Sequence, residues 1–332
     1  MKNISLFLLM SISMILLTTC VSKEKETAIP GSVGKISEMI VVANKPVWEA
    51  VLGDTVKEYF GRPYPWLNQM EPLFDIVTVE HYDLNKTLRK HRNILLFVVD
   101  KNIQTPKVTK ENDKWSSPQT VIEVVANTVD GLIEIFVERK EEINRLFCES
   151  EIVRLKKIWV EQRDIKQSEE IESFLNINVV VPKGYWIAGK KGRTVWVRKQ
   201  LQHLDQETGF TITEIPYNDT NQFNLQEILT LRDSILKFNV PVQTAEAYMG
   251  TEYEFMPESK TIELDKKFAV ETRGFWKSIN SFMGGGPFIN YMIHDSKHDR
   301  LIMFDAYVFK PNEEKRDLIR QMESLAHTIS FE

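Results

Sequence analysis

The chain has 332 residues, with 42 lysines and arginines against 47 aspartates and glutamates and a formal net charge of −5. Hydrophobic residues make up 42%, enough at this length to bury one large core or two ordinary ones, so the chain reads as globular. The mildly acidic balance lacks the clustered basic face that nucleic acid requires. With 2 cysteines in all, a framework of several disulfides is excluded.

Lys2 precedes an apolar run from Ile4 to Leu17 that only serines interrupt. A bilayer core needs about 20 apolar residues, so this run is too short to span and has the form of a signal-peptide core. It ends in Leu16-Leu17-Thr18-Thr19-Cys20, which resembles the lipobox of bacterial lipoproteins, with Cys20 as the acylated first residue of the mature chain. Thr19 stands where that motif prefers Ala or Gly. Two or three acyl chains, at about 0.8 kcal/mol per buried CH₂, hold a protein firmly on a membrane. Residues 1–19 are then a leader and residues 20–35 a polar, flexible tether. The mature chain keeps 41 basic and 47 acidic residues, a formal charge of −6. Once Cys20 carries lipid, Cys148 has no disulfide partner, and its place on a helical pattern marks it as a small buried hydrophobe.

Folding is expected from residue 36. Glu38 to Ala43 is a short β-branched run of the kind buried on both sheet faces. Pro46 opens a helix to about Tyr59, with Trp48, Val51, Leu52 and Val56 on one stripe. Phe74 to Val79 alternates as a half-buried strand, Leu84 to His91 forms a short helix, and Asn93 to Val99 is the strongest buried strand. After a polar loop, Gln119 to Asn127 supplies a fourth strand. Asp130 caps a long helix to about Gln162, on the order of 50 Å at 1.5 Å per residue. A sub-domain boundary is expected after it, near Gln167.

The pattern then changes. Ile177 to Val181, Arg193 to Arg198 and Phe210 to Ile215 read as strands, and Leu225 to Phe238 reads as a helix stopped by Pro241. Glu252 to Met256, Thr261 to Val270, Gly274 to Phe282, Phe288 to His294 and Arg300 to Phe309 form a meander, which implies antiparallel pairing. Glu313 to Ser330 closes the chain as an amphipathic helix that should cover one face of that sheet. The expected class is α+β in two sub-domains. The first, residues 36–167, is a mixed sheet layered with helices, and the second, residues 168–332, is a largely antiparallel sheet under a C-terminal helix.

No catalytic constellation stands out. His294-Asp295-Ser296-Lys297-His298-Asp299 has metal-ligand residue types but falls in a hairpin turn where the rings need not converge, so no metal or cofactor is expected. Met283-Gly284-Gly285-Gly286-Pro287 lies between strands, without the strand-to-helix setting that cradles phosphates. Its glycines imply positive φ or close approach. Phe275, Trp276, Phe282 and Phe288 surround it as a candidate binding wall. Arg92 is a candidate partner for Glu71 or for an anionic ligand.

The lipobox, EMIVVANKPVWEAVLGD, EPLFD, KHRNILLF, FWKSINSFMGGGPF and DAYVFKPNEEKRDLIRQMES together resemble an uncharacterised family of Bacteroidota lipoproteins, the domain-of-unknown-function family numbered 4837. The resemblance spans nearly the whole mature chain. It implies that Trp48, Glu71, Arg92, Met283, Gly284 and Phe288 belong to recurring motifs, and it implies no activity. Trp48, Glu71, Arg92, Trp276, Met283, Gly284, Gly285 and Phe288 are thus the candidate binding residues. The expected function is a binding or assembly module in the cell envelope, anchored to the outer membrane through Cys20, with an envelope protein or glycan as partner. The competing reading is a hydrolase-like envelope enzyme that needs Glu71, Arg92 and the Met283 to Phe288 loop in one pocket. Cys20→Ala is expected to move the protein from the membrane fraction to the soluble fraction; a mutant that stays with the lipid would remove the anchor.

Overall fold

Two β-sheets enclose a layer of helices in the computed structural model, which describes residues 29–241, 246–281 and 284–331. Cys20, Phe282 and Met283 lie outside the described residues. The first sheet contains β1 (Glu38–Val42), β2 (Asp75–Val79), β3 (Asn93–Val99), β4 (Lys107–Asn112) and β5 (Thr120–Ala126), in the order β2-β1-β3-β5-β4. β2, β1, β3 and β5 are parallel and β4 is antiparallel. The three inner strands carry continuous apolar runs because helices cover one face and loop segments the other. β4, in the stretch read as a loop, has the sequence KVTKEN and is almost entirely exposed. As an edge strand it gains little from apolar residues, so it carries no hydrophobic signal.

The expected helix from Pro46 is two helices, α1 (Lys45–Trp48) and α2 (Val51–Gly61). The Trp48 carbonyl lies 2.0 Å from where a Cβ on Gly53 would stand, so the break depends on that glycine. Val51 is 65% exposed, while Leu52, Val56, Tyr59 and Phe60 form the buried stripe. The expected helix at Leu84 to His91 is reduced to short 3₁₀ turns at His81–Asp83 and Leu88–Lys90. The long helix α3 (Val129–Glu161) is capped by Thr128, whose hydroxyl accepts from Gly131 N, rather than by Asp130. A further helix, α4 (Ile165–Leu175), follows from the Asp164 cap, and Gln167 lies within its first turn. Residues 177–181, read as a strand, form no ladder: Asn178 bridges Ser330, and Val180 N and Val181 N donate to Thr328 Oγ1 and Ser168 Oγ while the apolar residues are buried.

The second sheet holds β6 (Trp186–Lys191), β7 (Thr194–Leu201), β8 (Gln206–Pro216), β9 (Tyr248–Thr251), β10 (Glu258–Leu264), β11 (Lys267–Ile279), β12 (Gly285–Asp295) and β13 (Arg300–Phe309). The order is β10-β11-β12-β13-β8-β7-β6, with β9 also on β11, and every pairing is antiparallel. Thr261 to Val270 is a hairpin rather than one strand, turning at Asp265 and Lys266 with φ of 49° and 60°. α5 (Leu225–Asn239) covers one face of this sheet and α6 (Arg316–Ala326) the other. The expected α+β class, with a mixed first sheet, an antiparallel second sheet and a closing helix, is the observed one.

One apolar core runs through the molecule. It joins Val41 and Phe97 of the first sheet, Phe136 and Phe147 of α3, Ile319 and Met322 of α6, and Tyr291 and Phe304 of the second sheet. α6 therefore packs on both its own sheet and α3. Its start has no cap of its own, since the Lys315 side chain makes no capping bond. Glu71, 244 residues earlier, supplies one: its carboxylate accepts from Lys315 N at 2.7 Å and Arg316 N at 2.8 Å. A carboxylate at a helix N-terminus satisfies unpaired N–H groups and complements the dipole. Arg316 returns the contact, donating to Pro72 O and Asp75 Oδ2 at 2.8 Å each, and Arg320 donates to Leu73 O at 3.0 Å. The EPLFD turn is thus clamped by the KRDLIR segment. Glu71→Ala strands two buried N–H groups, at about 1–3 kcal/mol each, and should lower thermal stability by roughly that sum, with Glu71→Gln between the two in a circular-dichroism melt. An unchanged melt for Glu71→Ala would contradict the clamp.

Candidate functional site

The described candidate residues do not share one site. Glu71 is 4% exposed and committed to α6. Arg92 pairs through Nη2 with Glu151 at 3.0 Å, and it lines a small hollow beside α3 that contains neither Glu71 nor any glycine of the 284–286 turn. Trp276 and Gly284 line a different cavity, on the α5 face of the second sheet. The pocket that the hydrolase reading requires, uniting Glu71, Arg92 and the described part of the glycine loop, does not form. Trp48 is partly buried against the central core with the Lys57 amine 5.2 Å from its ring, and lines none of these hollows. Phe288 is 1% exposed under the Arg232 guanidinium, 3.6 Å from the ring centroid. It is part of the packing beneath α5, as Arg232 is itself fully buried and donates to Asp305 at 2.7 Å.

The glycines behave as the turn requires. Gly284 has φ of +101°, and a Cβ on Gly286 would stand 2.2 Å from the Val308 carbonyl. Gly285 pairs with Lys277 and continues into β12. This close approach brings β12 against β13 beside the cavity.

The cavity holds about 260 Å³. Its apolar wall is Trp196 from β7, Trp276 from β11, and Tyr307 and Phe309 from β13, with the Trp276 and Tyr307 rings edge to face at 5.9 Å. Phe275 is not part of it: neighbouring residues of a strand face opposite ways, and Phe275 instead meets Trp66 at 5.6 Å and Phe255 at 5.7 Å. A polar chain crosses the wall. Trp196 Nε1 donates to Tyr307 Oη at 3.1 Å, the Tyr307 hydroxyl donates to Glu207 Oε1 at 2.6 Å, and Glu207 pairs with Arg198. Burial, reinforced by Glu207, raises the Tyr307 hydroxyl well above its ordinary pKa, which keeps it a donor. Arg198 Nε and Ser278 Oγ, both lining the cavity, are buried without a hydrogen-bond partner. The arrangement is an apolar pocket with a few convergent polar groups, two of them unsatisfied.

A wider hollow of about 640 Å³ lies between the first half and the second sheet. Its charges are mutually engaged. Arg273 donates to Tyr64 Oη and Glu323 Oε1 at 2.9 Å each and to Glu271 Oε1 at 2.6 Å, and Lys260 lies 3.1 Å from Glu271. Burial pushes the Glu271 carboxyl up, but Arg273 and Lys260 outweigh it and hold the pKa at about 2. Burial also raises the Tyr64 hydroxyl to about 12. Cys148 sits here partly exposed, its sulfur 3.5 Å from Arg320 Nη1. The network joins the two halves. The histidines of the β12–β13 turn have separate partners: the His294 ring lies 4.4 Å from that of Tyr217, tilted by 41°, and His298 Nδ1 lies 2.7 Å from Asp295.

Residues 164–328 match the family model described as Domain of unknown function (DUF4837), and residues 32–160 match Domain of unknown function (DUF8532). Each half thus matches a family model of unknown function. The DUF4837 match is confined to the second half, whereas the sequence resemblance extended over both, and the two matches meet where α3 ends and α4 begins. No curated protein matches the chain. Among solved structures it is similar to the Saccharomyces cerevisiae Ran-binding protein Mog1p, at 10% identity and a TM-score of 0.31 over 46% of this chain and 89% of that one. A point mutant of Mog1 gives 10% identity and a TM-score of 0.30 over the same shares. Scores of this size do not establish a common fold.

Proposed function

We propose that the protein is a lipid-anchored binding module of the bacterial cell envelope, and that its ligand is a saccharide unit held in the cavity between Trp196, Trp276 and Tyr307. The observation that supports this is the pair of buried, unpartnered polar atoms, Arg198 Nε and Ser278 Oγ, bordering an aromatic-walled space of about 260 Å³. A pyranose ring offers apolar C–H faces to aromatic rings and hydroxyls to carboxylate and guanidinium groups. Glu207 and Arg198 are already held in place by Tyr307 and by each other, so little ordering accompanies binding. The lipobox ending at Cys20 supports the anchor, and the charged residues after it fit a linker between lipid and body. Cys148 and the inter-half network then serve the fold.

Trp196 and Trp276 make the cavity its own fluorescence reporter. Titration with a panel of soluble oligosaccharides should change tryptophan emission saturably, and Glu207→Gln or Arg198→Met should weaken that response about tenfold, equivalent to about 1.4 kcal/mol, at unchanged melting temperature. A panel that leaves emission unchanged, or variants that bind like the parent, would overturn the saccharide assignment.

A further inference from the structure

A second site lies outside the aromatic cavity and does not depend on it. Beside α3 is a hollow of about 270 Å³ lined by Ser32 and Gly34 of the entering chain, Arg92, and Arg154, Lys157 and Glu161 of α3. Beneath it Glu151, 0% exposed, is shared by two guanidinium groups. Its Oε2 lies 3.0 Å from Arg92 Nη2, and its Oε1 accepts from Arg154 Nη2 at 2.9 Å and from Asn93 Nδ2 at 2.7 Å. Lys157, one helical turn past Arg154, has no ion pair with any described residue. Arg92, Arg154 and Lys157 thus face Glu151 below and Glu161 on the rim, and the Asp113 carboxylate also acts on Arg154. Arg92 Nε and Arg154 Nε are buried donors without a hydrogen-bond partner, as is the acceptor Glu151 Oε2, which Arg92 meets only as an ion pair. Burial, and then the neighbouring Arg92 charge, depress the Arg154 pKa despite Glu151, which is the condition an added anion relieves.

We propose that this hollow binds a phosphate oxyanion, through the Arg92 and Arg154 guanidinium edges and the Lys157 ammonium. Planar guanidinium donors match the oxygen spacing of phosphate, and Lys adds a compact charge at the mouth. The site is formed by the segment through which the chain enters the fold: Ser32 N donates to Ser117 O at 3.1 Å and Val33 N to Lys90 O at 2.9 Å. If the lipid-anchor reading holds, about ten residues separate Cys20 from Pro30, at most about 35 Å of chain at roughly 3.5 Å each. A phospholipid headgroup is then within reach, and a free phosphate monoester offers the same chemistry.

The test uses the mature chain with Cys20→Ser, so that no lipid is attached. Binding of inorganic phosphate is followed by calorimetry against a chloride control, and sedimentation compares phosphatidylglycerol with phosphatidylcholine vesicles. Phosphate binding that Lys157→Gln weakens at least tenfold, with the melting temperature unchanged, supports the site. Arg92→Lys, which keeps the charge but loses the fork, should weaken it as well. Lys157-dependent sedimentation with phosphatidylglycerol identifies the headgroup as the source; phosphate binding without sedimentation identifies a free phosphate. A chain with net negative charge has no general attraction to anionic vesicles that would mimic this result. No phosphate heat above the chloride control, or heat that survives both Lys157→Gln and Arg92→Lys, overturns the proposal. Glu207→Gln should leave phosphate binding intact, so failure of the saccharide reading is separable from failure of this one.

Discussion

Two peptide N–H groups at the start of α6 and the carboxylate of Glu71 hold the molecule in one piece. The helix they cap is amphipathic, with Ile319, Met322 and Leu325 buried, but it has two sheets to satisfy, and its own N-terminus offers no capping side chain. By taking the cap from the first half, the chain fixes the register of α6 against α3 and against the second sheet together. Around that point Arg316 and Arg320 bind backbone carbonyls of the same turn, and Trp159 of α3 donates to Ser324 Oγ at 2.7 Å. The buried charges are acceptable because each has a hydrogen-bonded partner. The wide hollow between the halves extends the same joint through Arg273, Glu323 and Tyr64.

With the helical layer fixed, the remaining surfaces are free for other work. The face of the second sheet away from α6 carries α5 and the aromatic cavity. The hollow beside α3 opens where the chain enters the fold. The aromatic cavity is built on β7, β8, β11 and β13, and the hollow on α3 together with Arg92 and the entering chain at Ser32 and Gly34. Each has buried donors or acceptors that the fold leaves without partners, and the inter-half network spends most of its charges on one another while Arg320 Nε stays unpartnered.

The parts of the fold legible in the sequence are those whose burial writes a period. β1, β3 and β5 are apolar throughout because both faces are covered, and α3, α5 and α6 show stripes. β4 and β6 are edge strands with polar sequences, so burial marks them weakly. The split of α1 from α2 depends on the space at Gly53, which no periodicity reports. In the sites, Trp276 and Gly284 stood out because aromatic and glycine residues cluster locally. Trp196, Arg198, Glu207 and Tyr307 come from three strands, and only strand order brings them together. One signal was available: in Trp196-Val197-Arg198 the first and third residues share a face, placing an aromatic ring and a guanidinium side by side. Glu71 and Arg92 were singled out together, but each is claimed by a charge or helix end far along the chain, Arg316 for one and Glu151 for the other.

If the shared helical layer makes the two halves one unit, native-state hydrogen exchange is its most direct test. The slowest amides of β3 in the first sheet, α3, and β12 in the second sheet should exchange through one opening with a common free energy and a common dependence on denaturant. Two distinct openings, one confined to residues up to 161 and another to residues from 164, would contradict the account.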